Sequence, residues 1–359
     1  MPDLDLRIHY TKARDGVNLA YWTAGAGEPL VFLPTMTSNV ESDWRTDRGW
    51  VYNRLAENHL LVRYDGRGHG MSDRNPPSLT LDTLVDDLEA VVDEIGLRRF
   101  AILAPAVSAT TGIAFAARYP RRVSQLILFH PYPSYDDYFH SSFGDALPLV
   151  HGNWDLFTMT VSHIRVGWMQ GDQARNAASL MRESVDREFF LREVEAAPLL
   201  NARPLMDGVR TPTLIVCRRH YGDYEIGLAR SIAAAIPTAT FDLIDGNTNS
   251  MWDDRQQALR QIERFLGVDD FGDVPPSSLP DYLHNRSHDL SPREVDVLRF
   301  LASGQRNKEI AADLGLSVYT VARHVATIYA KIGAHGRAEA TRYALEHGIL
   351  SSREPAAVR

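Results

Sequence analysis

Near the C-terminus the segment VYTVARHVATIYAKIG sorts its side chains onto two faces. Thr320, Arg323, His324, Thr327 and Lys331 recur at three- and four-residue intervals, opposite an apolar face of Val321, Val325, Ile328 and Ile332. Hydroxyls, an imidazole and cations along one helix face are the groups that reach base edges and phosphates in a DNA groove. The formal charge of -8 over 359 residues disfavours a polyanionic partner if the chain is taken as one body. From Arg286 onward, however, 11 Lys and Arg oppose 8 Asp and Glu, whereas upstream 27 oppose 38. A modestly basic C-terminal module can hold phosphate if its cations share a face, while the acidic remainder weakens non-specific binding.

The elements that must position this face are legible around it. In LSPREVDVLRFLASG, Ser291 is a natural N-cap, Pro292 takes the first helical position and Glu294 completes a capping box. Val295, Leu298, Leu301 and Ala302 form the apolar stripe, and Gly304 ends the helix. Asn307 caps a short helix with Ile310, Ala311 and Leu314 inward; Gly315 makes a tight turn, and Ser317 caps the two-faced helix. A fourth helix from Arg337 to His347 carries Ala340, Ala344 and Leu345, suited to a core or a dimer contact.

The run LSPREVDVLRFLASGQRNKEIAADLGLSVYTVARHVATIYAKIGAHGRAEATRYAL resembles the LuxR-type (GerE) helix-turn-helix family. The resemblance implies that the third helix enters the major groove. Thr320, Val321, Arg323, His324 and Thr327 then read base edges or backbone, and Lys308 and Lys331 contact phosphate. Ala322 stands where the family usually has Lys, and Arg306 replaces a small residue before Asn-Lys-Glu-Ile. The family also implies double-stranded DNA as partner and a homodimer on half-sites about one helical turn apart.

Upstream, the apolar runs 30–33, 60–63, 100–103, 125–129, 213–217 and 240–244 alternate with helical patterns, which predicts a parallel sheet wrapped by helices. Residues 131–204 break that rhythm and suit a helical cap. VDDFGDVPPSSLPDYLHNRSHD has a linker's composition. The reading is therefore a domain over 1–268 with its cap at about 131–204, a linker over 269–286 and an all-α four-helix domain over 287–359. No apolar run is long enough for a bilayer, and the N-terminus has neither a basic nor an apolar leader region, so neither membrane insertion nor export is expected. The single Cys217 fits a reducing cytoplasm, and no cofactor or metal motif is read.

The upstream domain resembles the α/β-hydrolase family through GAGEPLVFLP, RYDGRGHGMSD, AILAPAVSATTGIAFAARYP and PTLIVCRRHYGDYEIGLARSIAAAIP, together spanning residues 7 to 267. Hydrolysis in that family needs a nucleophile on a strained elbow, a His base and an orienting acid. Counting back from Pro120 puts Ala106 at the nucleophile, with Ala104 and Ser108 in place of the glycines that permit the sharp turn; Tyr221 stands at the acid and Asn249 at the histidine. A methyl cannot attack a carbonyl, and Asn is no base near neutral pH. The resemblance thus implies a catalytically inactive hydrolase fold with a ligand pocket lined by Pro34, Thr35, Met36, Ala106, Val107, Tyr221, Asn249 and Trp252. Tyr132, Tyr135, Tyr138, Phe139, Trp154, Phe157 and Trp168 form either its apolar wall or simple packing of cap on core. The expected function is a DNA-binding transcription regulator controlled by a small ligand. Two alternatives stay open: an active esterase using Ser108 with Asp223 or His220, and a domain serving only dimerisation or docking.

Overall fold

The computed structural model describes residues 7–42, 48–141, 143–166, 171–246, 251, 255–268, 292–305, 307–314, 318–332, 334 and 336–346. The chain divides into two compact units, residues 1–272 and 273–359.

The first unit is built on an eight-stranded sheet: β1 (His9–Lys12), β2 (Asn18–Ala24), β3 (Glu28–Phe32), β4 (His59–Tyr64), β5 (Phe100–Pro105), β6 (Val123–Phe129), β7 (Thr213–Arg218) and β8 (Ala239–Ile244). Their order is β1-β2-β4-β3-β5-β6-β7-β8. From β4 to β8 across the sheet neighbours run parallel, and β2 joins β4 antiparallel with Tyr21 opposite Tyr64. All six apolar runs of the sequence are strands. They read as continuous runs because both faces of a parallel sheet are covered.

Alternation divides each strand between two cores. Val31, Ile102, Leu126, Leu128 and Ile215 face one, with α2 (Leu81–Glu94), α3 (Ala109–Arg118) and α9 (Asp223–Ala235). Leu30, Phe32, Leu103, Ile127, Phe129 and Val216 face the other, with α1 (Arg48–Ala56) and α10 (Arg255–Phe265). Thr80 caps α2 reciprocally with Thr83, and Leu81, Val85, Leu88 and Val92 then lie on its buried stripe.

Between β6 and β7 the chain makes the cap: α4 (Tyr135–Phe139), α5 (Pro148–Gly152), α6 (Trp154–Val166), α7 (Gly171–Ser184) and α8 (Arg187–Ala196). Its aromatics pack on one another. Phe143, Phe157 and Phe190 are mutually edge-on or tilted at 4.9 to 6.3 Å, with Trp154 stacked on Phe157 at 5.4 Å.

The second unit contains α11 (Pro292–Ala302), α12 (Asn307–Leu314), α13 (Val318–Ile332) and α14 (Arg337–Glu346). No helix among the described residues is long and apolar enough to cross a membrane.

Candidate functional site

In the C-terminal unit, α13 packs on α11, α12 and α14. Val321 and Ile328 are fully buried and Ile332 nearly so, as are Leu298, Leu301, Ile310, Ala311 and Ala340 from the neighbouring helices. Thr320, His324 and Thr327 are half-buried on α13, and Lys308 and Lys331 are exposed. Arg323 is on the same helix, its side chain outside the described residues.

This corrects the assignment of Val321 as a base reader: at 0% exposure its isopropyl group belongs to the core and cannot reach a groove. Glu294 also makes a contact between helices. Its Oε2 accepts from Lys331 Nζ at 2.8 Å, tying the start of α11 to the last turn of α13. The proposed cap partner Ser291, with Gly315 and Ser317, lies outside the described residues. Arg337 has a role the sequence did not disclose: its Nη2 donates at 2.6 Å to the carbonyls of Leu301 and Gln305, satisfying acceptors at the end of α11. Only tertiary structure brings that guanidinium to that helix end.

In the first unit the sharp turn between β5 and α3 is present. Ala106 has φ +51°, a left-handed conformation that costs an L-residue about 1–2 kcal/mol. Replacement of the flanking glycines by Ala104 and Ser108 therefore did not abolish the elbow. It is held by Tyr132 N–H donating to the Ala106 carbonyl at 3.2 Å, and by Ser108 Oγ donating to the Pro105 carbonyl at 2.7 Å. Ser108 is buried, whereas His220 and Asp223 are both exposed.

A second left-handed residue, His130 at φ +47°, ends the adjacent strand β6. No motif in the sequence marks it. Its Nε2 accepts from the backbone N–H of Arg218 at 2.8 Å, and its ring meets Tyr221 edge-on at 4.9 Å. Burial and the Arg218 charge push its pKa down to about 3, so the ring is neutral near pH 7. Burial raises Tyr221 and Glu225 above their ordinary values, keeping the Tyr221 phenol neutral.

Pro34, Thr35 and Met36 do line a cavity, with Arg67, His69, Asp87, Ser108, Tyr135 and Glu193. Its volume is about 30 Å³, room for about one water. Ala106, Val107 and Tyr221 are not among its walls, a correction to the expected pocket: Val107 is 2% exposed and packed into the core. Asn249, Trp252 and Trp168 lie outside the described residues. Of the cap aromatics Tyr135 reaches the cavity, while Tyr132, Tyr138, Phe139, Trp154 and Phe157 pack among rings. Beside it Arg67 donates to Asp87 at 2.7 and 2.8 Å and to Asp15 at 2.7 Å, yet burial still pushes Asp87 up to about 6.

Residues 28–216, more than half of the chain, match the family described as alpha/beta hydrolase fold. The chain belongs to that family. Residues 288–344 match the bacterial regulatory proteins of the luxR family, so a LuxR-type DNA-binding domain is fused to this hydrolase fold. The C-terminal part is similar to the Fimbriae Z protein of Salmonella typhimurium, 51% identical over 61 residues, 17% of this chain and 29% of that protein. The chain thus spans under a third of that relative. The hydrolase fold is similar to a hydrolase from Pseudomonas aeruginosa PA01, with TM-score 0.62, 19% identity, and 74% of this chain and 99% of that one covered. It is also similar to esterase RhEst1 from Rhodococcus sp. ECU1013, with TM-score 0.60, 18% identity, and 72% and 98% covered. At these identities the likeness establishes the fold alone.

Proposed function

We propose that the protein is a one-component transcription regulator, in which the LuxR-type domain binds double-stranded DNA as a homodimer and the hydrolase-fold domain binds a small molecule without turning it over. The observation that carries the inactive half is Ala106. The elbow has the strained backbone of a nucleophile site, but the side chain it presents is a methyl. Ser108 is turned back onto its own strand's carbonyl, and neither His220 nor Asp223 leaves the surface for it. A ligand held by such a domain would act by binding one arrangement of the regulator more tightly than another.

Ester turnover tests the inactive half. With p-nitrophenyl butyrate the purified chain should give no more product than Ser108→Ala. Turnover that disappears in that variant would sink the reading.

The small cavity favours a second reading, in which the domain serves only to dimerise or dock a partner. Thermal shift separates the two, since a ligand at 100 times its Kd stabilises its receptor by about 2.7 kcal/mol.

A further inference from the structure

One buried pair between cap and sheet has no part in the account above. His69, in the loop after β4, and Glu193, on cap helix α8, face each other with Nε2 and Oε2 3.5 Å apart and side chains 8% and 2% exposed. Among the described residues neither atom has another hydrogen-bond partner.

The position of the proton follows from the other ring nitrogen. His69 Nδ1 lies 3.2 Å from the backbone carbonyl of Arg67. A carbonyl only accepts, so Nδ1 carries hydrogen. In the neutral ring Nε2 therefore bears a lone pair, and it faces a carboxylate oxygen that also only accepts. Two such acceptors facing each other away from water repel and leave both unsatisfied. One proton between them converts the contact into a charge-assisted bond.

We propose that His69 and Glu193 form a proton-gated latch that holds the cap on the sheet, closed while a proton sits between Nε2 and Oε2 and loosened when it leaves. Among the described groups facing it, the charged ones are held by other partners. From its own loop His69 is faced by Asp65, whose carboxylate accepts from the N–H groups of Val40 and Met71, and by Arg67, which is committed to Asp87 and Asp15. Asp87 from α2, Tyr64 from β4 and Tyr135 from α4 share the adjacent cavity. From α8 come Glu193 and the ring of Phe189, edge-on at 5.4 Å, while Arg192 reaches past to Asn75 and Pro76. Two further tethers from this loop to the cap use a backbone carbonyl: Gly70 N–H and Arg74 both donate to Ser184 O, at 2.7 and 2.6 Å. These do not titrate near neutral pH.

The direction agrees. Burial opposes a charge on His69, but the Glu193 carboxylate, the Arg67 carbonyl and Asp65 outweigh it and raise its pKa above the ordinary 6.5. The latch is then fully closed below pH 6.5 and is lost as pH rises through the raised value. His69 and Glu193 both line the cavity beside it, so loosening of α8 would widen that cavity. None of this depends on whether the domain senses a ligand.

The test compares amide exchange of residues 187–196 in the full-length protein, His69→Gln and Glu193→Gln at matched pH between about 5.5 and 9. Comparison at each pH cancels the intrinsic chemistry of exchange. Either glutamine supplies an amide donor at every pH. Exchange in the wild type should therefore accelerate relative to both variants by about tenfold with rising pH, the effect of one charge-assisted bond. The imidazole signal missing in His69→Gln should also titrate at lower pH in Glu193→Gln. Parallel exchange in all three proteins, or an unmoved His69 midpoint, would overturn the latch. If His69→Gln does not fold, Glu193→Gln decides by both readouts.

Discussion

Ala106 is strained for a residue with a side chain, and the strain has a measurable sign. Ala106→Gly removes the Cβ conflict and should raise stability by up to about 1 kcal/mol in a thermal melt, whereas Ala106→Val should lower it by at least about 1 kcal/mol. A loss on changing to glycine would contradict the left-handed turn. His130 makes a second prediction through its depressed pKa. The unfolded chain takes up that proton near pH 6.5 and the folded chain only near about 3, so the unfolded state binds more protons in that window. Stability must therefore fall as pH drops from 6.5 towards 3, with this one group contributing about 1.4 kcal/mol per pH unit. His130→Gln should reduce the acid slope of denaturant-derived stability by one proton. An unchanged slope would mean that the imidazole titrates normally.

At the scale of elements, the cap is a packed body in its own right. Phe157 is fully buried among Phe143, Trp154 and Phe190. Phe157→Ala should cost about 3–5 kcal/mol by chemical denaturation, a loss too large for a mere pocket wall. Much of the element plan could be read from the chain, because a strand covered on both faces is an uninterrupted apolar run, as in LILF, and a bundle helix shows its stripe. The antiparallel strands His9–Lys12 and Asn18–Ala24 escaped notice: the first is a short, largely exposed edge, and in the second Asn18 and Thr23 bracket a four-residue apolar run. The elbow position was legible from its distance to Pro120. The left-handed turn at His130, the reach of Arg337 to α11 and the pairing of Lys331 with Glu294 were not, because each is set by contacts between residues far apart in sequence. The same limit misplaced Val321: a residue at the border of two helix faces is assigned by what packs over it.

For the whole molecule, charge and architecture divide together. The strongly acidic share of the chain lies with the hydrolase fold and the basic excess with the LuxR-type domain. Lys308 is exposed, so Lys308→Ala should weaken binding to all DNA sequences alike and reduce the dependence of log Kd on log salt by about 1. Lys331 should behave differently, since its ammonium is held by Glu294 and removing it also loosens α13 from α11. The most direct test of the account is binding of the purified full-length protein to DNA upstream of its own coding sequence, across a salt series and beside Arg323→Ala/His324→Ala. A regulator predicts sequence-selective binding that survives competitor DNA and is lost in the double variant; binding no tighter than to competitor DNA at every salt concentration would contradict it.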